Sequence, residues 1–275
     1  MTHHHDPIAA TPRIRRLVAG AEWQPVTIGM SGAEVWRILT PGKSPRYLKS
    51  ATGPRIAELR AERDRLAWLQ GRLPVPAIHA WLEEGARNDE ADSARAWLLL
   101  AEAPGRMACD PTAAGDPERV VHLLAAGLRQ IHGLPIRDCP FDTRLDLRLE
   151  FTERNIRLGL VDETAVRDTR GIDADALLDQ LRATRPDEPP ADLVFTHGDY
   201  CLPNILIDDA FTHVTAWLDW GRAGVSDRYL DLAIGARSVR YNLGAEWGPR
   251  FLAAYGLDQL DQKRLDWYET LDELF

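Results

Sequence analysis

The stretch that most constrains this chain is 195–207, FTHGDYCLPNILI, followed closely by 217–224, WLDWGRAG. An apolar run at 193–195 leads into His197-Gly198-Asp199 and a proline-bearing turn, and Asn204 then opens a second apolar run at 205–207. Asp208-Asp209 breaks that run, and 214–218 begins a third, which delivers Asp219-Trp220-Gly221, so the spacing predicts a hairpin. Such a hairpin brings Asp199, Asn204 and Asp219 to one rim. Taken singly, Asp, Asn and Gly are ordinary turn residues; the joint pattern is what points to chemistry. A few hard oxygen ligands suit Mg²⁺ completed by phosphate and water, and phosphoryl transfer is the chemistry that needs such a site.

The same pattern repeats the arrangement of kinases, a catalytic-loop Asp and Asn followed by a metal-binding Asp before Gly. Trp220 stands where kinases carry Phe. With HGDYCLPN and LDWGRAGVSDRYLDLA, the chain resembles the aminoglycoside phosphotransferases, specifically the aminoglycoside 3′-phosphotransferase group, from about Gly29 to the LDELF ending. The resemblance implies an α+β, two-lobed, protein-kinase-like fold. Its N-terminal lobe is an antiparallel sheet with one helix at 1–101, its hinge lies at 102–105, and a mainly helical catalytic lobe occupies 106–275. It also implies transfer of the γ-phosphoryl group of ATP, with Mg²⁺, to a hydroxyl of an aminoglycoside antibiotic of the kanamycin/neomycin class, at the 3′ position, with resistance as the consequence. Asp199 would then accept or orient the hydroxyl proton, while Asn204 and Asp219 hold the metal.

The residues upstream fit this reading. Segments 23–28, 33–39 and 46–50 read as strands of an antiparallel meander, joined by GMSGAE and TPGKSP turns. Gly29 and Gly32 flank Met30 and Ser31, whose backbone N–H groups can form a small anion-binding nest. A helix over 54–70 follows, with Ile56, Leu59, Leu66 and Leu69 on one face, and Glu62 falls on that stripe. A carboxylate on a buried face needs a partner, and Lys49 on the adjoining strand is the obvious one. Together they repeat the strand-lysine and helix-glutamate pair that places phosphates in kinases. The buried strand 96–101 ends at the expected hinge, where the backbone of Leu100, Ala101 and Ala103 would hold the adenine edge.

In the second half, 117–132, 145–158 and 174–183 read as helices, and 160–168 as an acidic loop between the last two. His132 reads as structural. Asp227 and Asp231 flank the first turn of a helix at 228–237, where carboxylates favour the helix dipole. The resemblance places Asp162 and Glu163 of the acidic insert, Arg222, Arg237 and the chain end against the substrate. A helix from near Gln262 keeps its apolar stripe up to the last residues, so the end is expected to be docked. Docking would crowd Asp272, Glu273 and the α-carboxylate of Phe275, a cluster that repels itself unless cations arrive. After Arg237-Ser238 the chain carries Val239, Tyr241 and Asn242 where relatives tend to carry acids, which bears on the antibiotic spectrum.

Composition sets the outer limits. The 275 residues are 45% hydrophobic, enough for two lobes, and the net charge of −9 argues against a nucleic-acid partner. Cys109, Cys139 and Cys201 have no CxxC spacing and read as reduced thiols of a cytoplasmic protein. No apolar run approaches the length of a membrane span, no repeat suggests a solenoid, and His3 to His5 at the N-terminus read as a disordered tail or a tag remnant. A monomer or weak dimer is expected. Other readings are a choline, homoserine or macrolide kinase of the same architecture, a catalytically silent nucleotide-binding module, and, more remotely, a metal hydrolase built on His197 and Asp199.

Overall fold

The computed structural model describes residues 12–27, 34–85 and 94–275. The chain divides into two compact units, one comprising residues up to 67 together with 76–102, the other 68–75 together with 103–275. Segment 68–75, assigned above to the N-terminal lobe, thus groups with the second unit, and the boundary at its far side falls between Glu102 and Ala103.

The first unit holds α1 (Pro12–Leu17), β1 (Glu22–Pro25), β2 (Glu34–Leu39), β3 (Arg46–Thr52), the body of α2 (Arg55–Leu69), β4 (Ile78–Glu84) and β5 (Arg95–Ala101). The strands form one antiparallel sheet in the order β1-β2-β3-β5-β4. Alternation along β3 sorts the two faces of the sheet. Leu48 joins Ile38, Leu82, Trp97 and Leu99 in a cluster completed by Ile14 and Val18. Lys49, next in sequence, meets Glu62 of α2 instead. Residues 12–17, part of an N-terminal stretch in which the sequence suggests no element, therefore form a helix packed on the sheet. Burying Ile14 and Val18 contributes roughly 1.5–3 kcal/mol each. On α2, Ile56, Leu59, Glu62, Leu66 and Leu69 are all buried, as the periodicity predicts.

The second unit contains β6 (Arg106–Met107), α3 (Pro117–His132), α4 (Leu145–Arg157), α5 (Glu163–Arg170), α6 (Ala174–Ala183), β7 (Leu193–Thr196), β8 (Ile205–Ile207), β9 (Val214–Trp217), β10 (Gly224–Asp227), α7 (Tyr229–Leu243), α8 (Trp247–Tyr255) and α9 (Gln262–Leu271). Asp116 caps α3 by accepting from Arg119 N–H, with Pro117 in the first turn, where its missing N–H costs nothing. The expected acidic loop is in fact helix α5, because Asp162 serves as its N-cap. The strands flanking the HGD loop do not pair with each other: β7 pairs with β10, whereas β8 pairs with β6 and β9. No helix among the described residues is long and apolar enough to cross a membrane.

Candidate active site

The β8–β9 hairpin forms as the sequence predicts, with Ile205 opposite Trp217. Leu218 N–H donates to the Asn204 carbonyl at 2.8 Å, which sets Asn204 beside the residue preceding Asp219. Asp219 itself has φ 58° and ψ 59°, a left-handed conformation that costs a non-glycine residue free energy and often marks a functional turn. Asn204 turns its amide nitrogen onto Asp199, donating to Oδ2 at 2.9 Å and to the backbone carbonyl at 3.1 Å. The side-chain oxygen of Asn204 is then its remaining ligand atom, a hard donor suited, with the Asp219 carboxylate, to Mg²⁺.

A buried scaffold that no sequence pattern revealed holds the loop in place. Asp231, fully buried on α7, accepts from the backbone N–H of His197 at 2.7 Å and of Gly198 at 2.8 Å. It also meets His132 Nε2 at 3.0 Å, whose Nδ1 pairs with Tyr255 Oη at 2.8 Å. The histidine read as merely structural thus has its partner 99 residues away in sequence. Burial works to raise the Asp231 pKa, but the hydrogen bond and charge of His132, with the backbone N–H of His197, hold it below the ordinary value. His197 packs on Trp220 at 4.3 Å between centroids, and its Nε2 lies 2.9 Å from Leu218 O. Its Nδ1 accepts from Asp199 N–H at 3.3 Å. These two bonds fit the neutral imidazole with its proton on Nε2, and burial pushes the ring's pKa down. Gly198 has φ +81°, and a Cβ there would lie 2.2 Å from the Arg222 carbonyl oxygen, so the close approach of the two loops requires glycine.

Next along the loop, Leu202 N–H donates to Ser238 Oγ at 2.9 Å. Asn242 folds back along α7, its Nδ2 2.8 Å from Ser238 O and 3.4 Å from Ser238 Oγ. Asn242 therefore braces the residue that holds the loop, while its neighbour Tyr241 is 89% exposed.

In the first unit, Lys49 Nζ lies 2.7 Å from Glu62 Oε1, with the side chains 13% and 9% exposed. Met30 and Ser31 fall outside the described residues. At the expected hinge, Ala101 N–H already donates to Ala77 O at 2.8 Å and Glu102 N–H to Pro45 O at 3.2 Å. The N–H of Ala101 is thus occupied by the sheet, and Leu100 is paired with strands on both sides.

The chain end is docked, with Leu271 and Leu274 fully buried. The Asp272 and Glu273 carboxylates, however, do not wait for outside cations: the chain supplies arginines. Arg237 pairs with Asp272 Oδ2, and Arg222 Nη1 lies 3.9 Å from Oδ1. Arg170 holds Glu273 at 2.5 and 2.9 Å. Asp162 is likewise committed, its Oδ1 accepting from Thr164 N–H at 3.1 Å and Ala165 N–H at 3.0 Å, and Glu163 lies 3.7 Å from Arg167.

Known proteins share this organisation. The aminoglycoside 3′-phosphotransferase of Streptomyces fradiae is 38% identical over 274 residues, covering 95% of this chain and 98% of its own. A solved aminoglycoside-3′-phosphotransferase of type VIII superposes with a TM-score of 0.82 at 33% identity, over 96% of this chain and 97% of that one. Aminoglycoside phosphotransferase APH(3″)-Id of Streptomyces rimosus, solved in complex with ADP and streptomycin, superposes with a TM-score of 0.77 at 29% identity, over 95% of both chains. The sequence model of the phosphotransferase enzyme family matches residues 22–268, and the chain belongs to that family.

Proposed function

We propose that the protein transfers the γ-phosphoryl group of ATP to an aminoglycoside hydroxyl, the 3′-hydroxyl of kanamycin- and neomycin-type antibiotics, and so confers resistance. The observation that carries the reading is the Asp199–Asn204 bond, set by the β8–β9 hairpin beside the strained Asp219. Asp199, its carboxylate oriented by Asn204, accepts or orients the proton of the acceptor hydroxyl. Asn204 and Asp219 would hold Mg²⁺, which when bound neutralises phosphate charge. Lys49, fixed by Glu62, binds phosphate oxygens, and the Met30-Ser31 turn adds backbone donors. With Leu100 and the Ala101 N–H taken up by the sheet, the nucleobase lies against the Ala103 end of the 100–103 backbone. Because the transition state of phosphoryl transfer is loose, positioning and charge stabilisation outweigh base strength.

On the acceptor side, Arg222, Arg237, Asp272, Glu273 and Phe275 line the site, with Asp162 and Glu163 at its edge. The arginine pairs found there change how the carboxylates work. An incoming ammonium competes with Arg237 or Arg170 for a carboxylate, instead of relieving bare repulsion, and a guanidinium so released can bind an acceptor hydroxyl. The protein is read as a cytoplasmic monomer or weak dimer.

The test is a phosphate-transfer assay with ATP and GTP against kanamycin, neomycin, streptomycin and choline, with the product's phosphate position read by NMR. Phosphorylation of kanamycin at the 3′-hydroxyl is expected. Streptomycin belongs in the panel because a neighbour was solved with it, and turnover of streptomycin alone would move the reaction to a different ring. Turnover of choline alone would overturn the aminoglycoside reading.

A further inference from the structure

The β8–β9 hairpin carries Asn204 and Asp219 at its open end, and its closed end is the turn 208–213. The Asp208 carboxylate holds that turn, accepting from Thr212 N–H at 2.6 Å, Thr212 Oγ1 at 2.8 Å and His213 N–H at 2.8 Å. Residues 104–108, which leave the expected hinge, are fastened along the hairpin. β6 pairs with β8, Arg106 opposite Ile207 and Met107 opposite Leu206, and Ala108 N–H donates to Ile205 O at 2.8 Å. The Thr215 hydroxyl of β9 donates to the Pro104 carbonyl at 2.6 Å. A carbonyl only accepts, so the direction of this bond is fixed, and proline has no N–H, so the carbonyl is the one backbone polar group that Pro104 offers. Gly105 follows with φ +112°. A Cβ there would lie 2.8 Å from Ile207 O and closer still to Thr215 Oγ1, so only glycine lets the segment lie this near the hairpin. Arg106 Nε adds a bond to Asp209 Oδ1 at 2.9 Å, but that pair is exposed and contributes little.

Thr215 stands four residues before Asp219, at most about 14 Å along the chain, on the scale of an extended nucleoside triphosphate. One hairpin therefore bears the metal ligands at its open end and, nearer its turn, grips the carbonyl next to Ala103. We propose that Thr215 is a positioning residue for the nucleobase: through Pro104 it fixes the Ala103 backbone against which the base lies, in register with the metal site at Asn204 and Asp219. The fastening stands on geometry alone; its consequence for the base rests on the function proposed above.

Displacement of a fluorescent ATP analogue tests it without any acceptor, adenosine reading the base site and Mg·tripolyphosphate the phosphate and metal site. Thr215→Val keeps the shape of the side chain and removes the hydroxyl. It should weaken adenosine about fivefold, the scale of one ordinary hydrogen bond, and leave Mg·tripolyphosphate within about twofold. Thr215→Ser, which keeps the hydroxyl, should bind both as the wild type does. Gly105→Ala should weaken adenosine further, because its Cβ meets a backbone oxygen that cannot turn aside. A control, Thr184→Val, removes a comparable hydroxyl-to-carbonyl bond, 2.8 Å to Gln180 O at the end of α6, and should change neither affinity. In turnover, Thr215→Val should raise the ATP KM about fivefold and leave the kanamycin KM unchanged. Should Thr215→Val fail to fold, the same measurements on Thr215→Ala decide. Unchanged adenosine affinity, or adenosine and tripolyphosphate weakened alike, overturns the proposal. A wild type that binds adenosine but phosphorylates no aminoglycoside would overturn the acceptor assignment alone, because the displacement assay still decides the role of Thr215. A wild type that binds no adenosine would overturn the nucleotide reading and this role with it.

Discussion

Two buried aspartates of the same unit, Asp231 and Asp272, solve the problem of a buried charge in opposite ways. Asp231 is fully buried and held by two backbone N–H groups and His132, and its pKa stays low despite burial. Asp272 is 8% exposed and depends on arginine side chains. One of its oxygens lacks a hydrogen bond among the described residues, and burial raises its pKa against the pull of Arg237 and Arg222. Backbone donors are fixed in place and make an anion a permanent part of the framework, whereas long arginines can exchange partners. The first arrangement suits a loop that must not move, and the second is the kind a surface proposed to admit a cationic ligand would need.

The largest expected effect is on the rigid side. Asp231→Ala leaves buried N–H groups and His132 without their acceptor, so stability should fall by about 3–5 kcal/mol, read as a shift in urea midpoint at unchanged slope. Asp272→Asn is the matching break on the adaptable side. Arg237 and Arg222 are about two-fifths exposed and rehydrate when released, so stability should change by about 1 kcal/mol or less. Losing a charge-assisted bond to the acceptor should nevertheless raise the kanamycin KM roughly ten- to hundredfold. A large loss of stability in Asp272→Asn would erase the contrast.

The contrast extends to pH. The pKa of His197 is lowered in the folded state, so its contribution is complete above the unfolded value near 6.5 and is lost as pH falls through the folded value. The urea midpoint should drop with acidification below about pH 6.5, by at most about 1.4 kcal/mol per pH unit for this group. His197→Asn should flatten that part of the profile. Asp272 has the opposite sign, because its raised pKa makes protonation on acidification favour the folded state. The smallest effect concerns the brace: Ser238→Ala removes the acceptor of Leu202 N–H and should lower kcat by roughly two- to tenfold, the equivalent of one ordinary hydrogen bond, with the ATP KM unchanged.

These two regions also differ in how far the sequence discloses them. The Lys49–Glu62 pairing and the hairpin that carries Asn204 and leads to Asp219 were legible because their signals are local: a carboxylate on an apolar helical stripe, and turn residues between short apolar runs. The meander, α2, α3 and α6 follow from hydrophobic period in the same way. The Asp231–His132 contact was not legible, since it joins α7 to α3 and neither residue carries a pattern that names the other. Arginine partners at the chain end were missed for the same reason, as a long flexible side chain chooses its carboxylate in three dimensions. Helix α1 was hidden because six residues show too little period to outweigh the polar tail before them. Helix α5 was read as a loop because the charges that solvate its outer face look like loop composition.

The central claim is that Asp199 serves the acceptor and Asp219 the metal-bound nucleotide, and titration calorimetry with Mg·ATP on Asp199→Ala and Asp219→Ala, paired with turnover, tests it most directly. Asp199→Ala should bind Mg·ATP as the wild type does while losing about 10²–10⁴ in kcat. Asp219→Ala should lose both nucleotide affinity and turnover. Equal Mg·ATP affinity in the two variants would contradict the assignment.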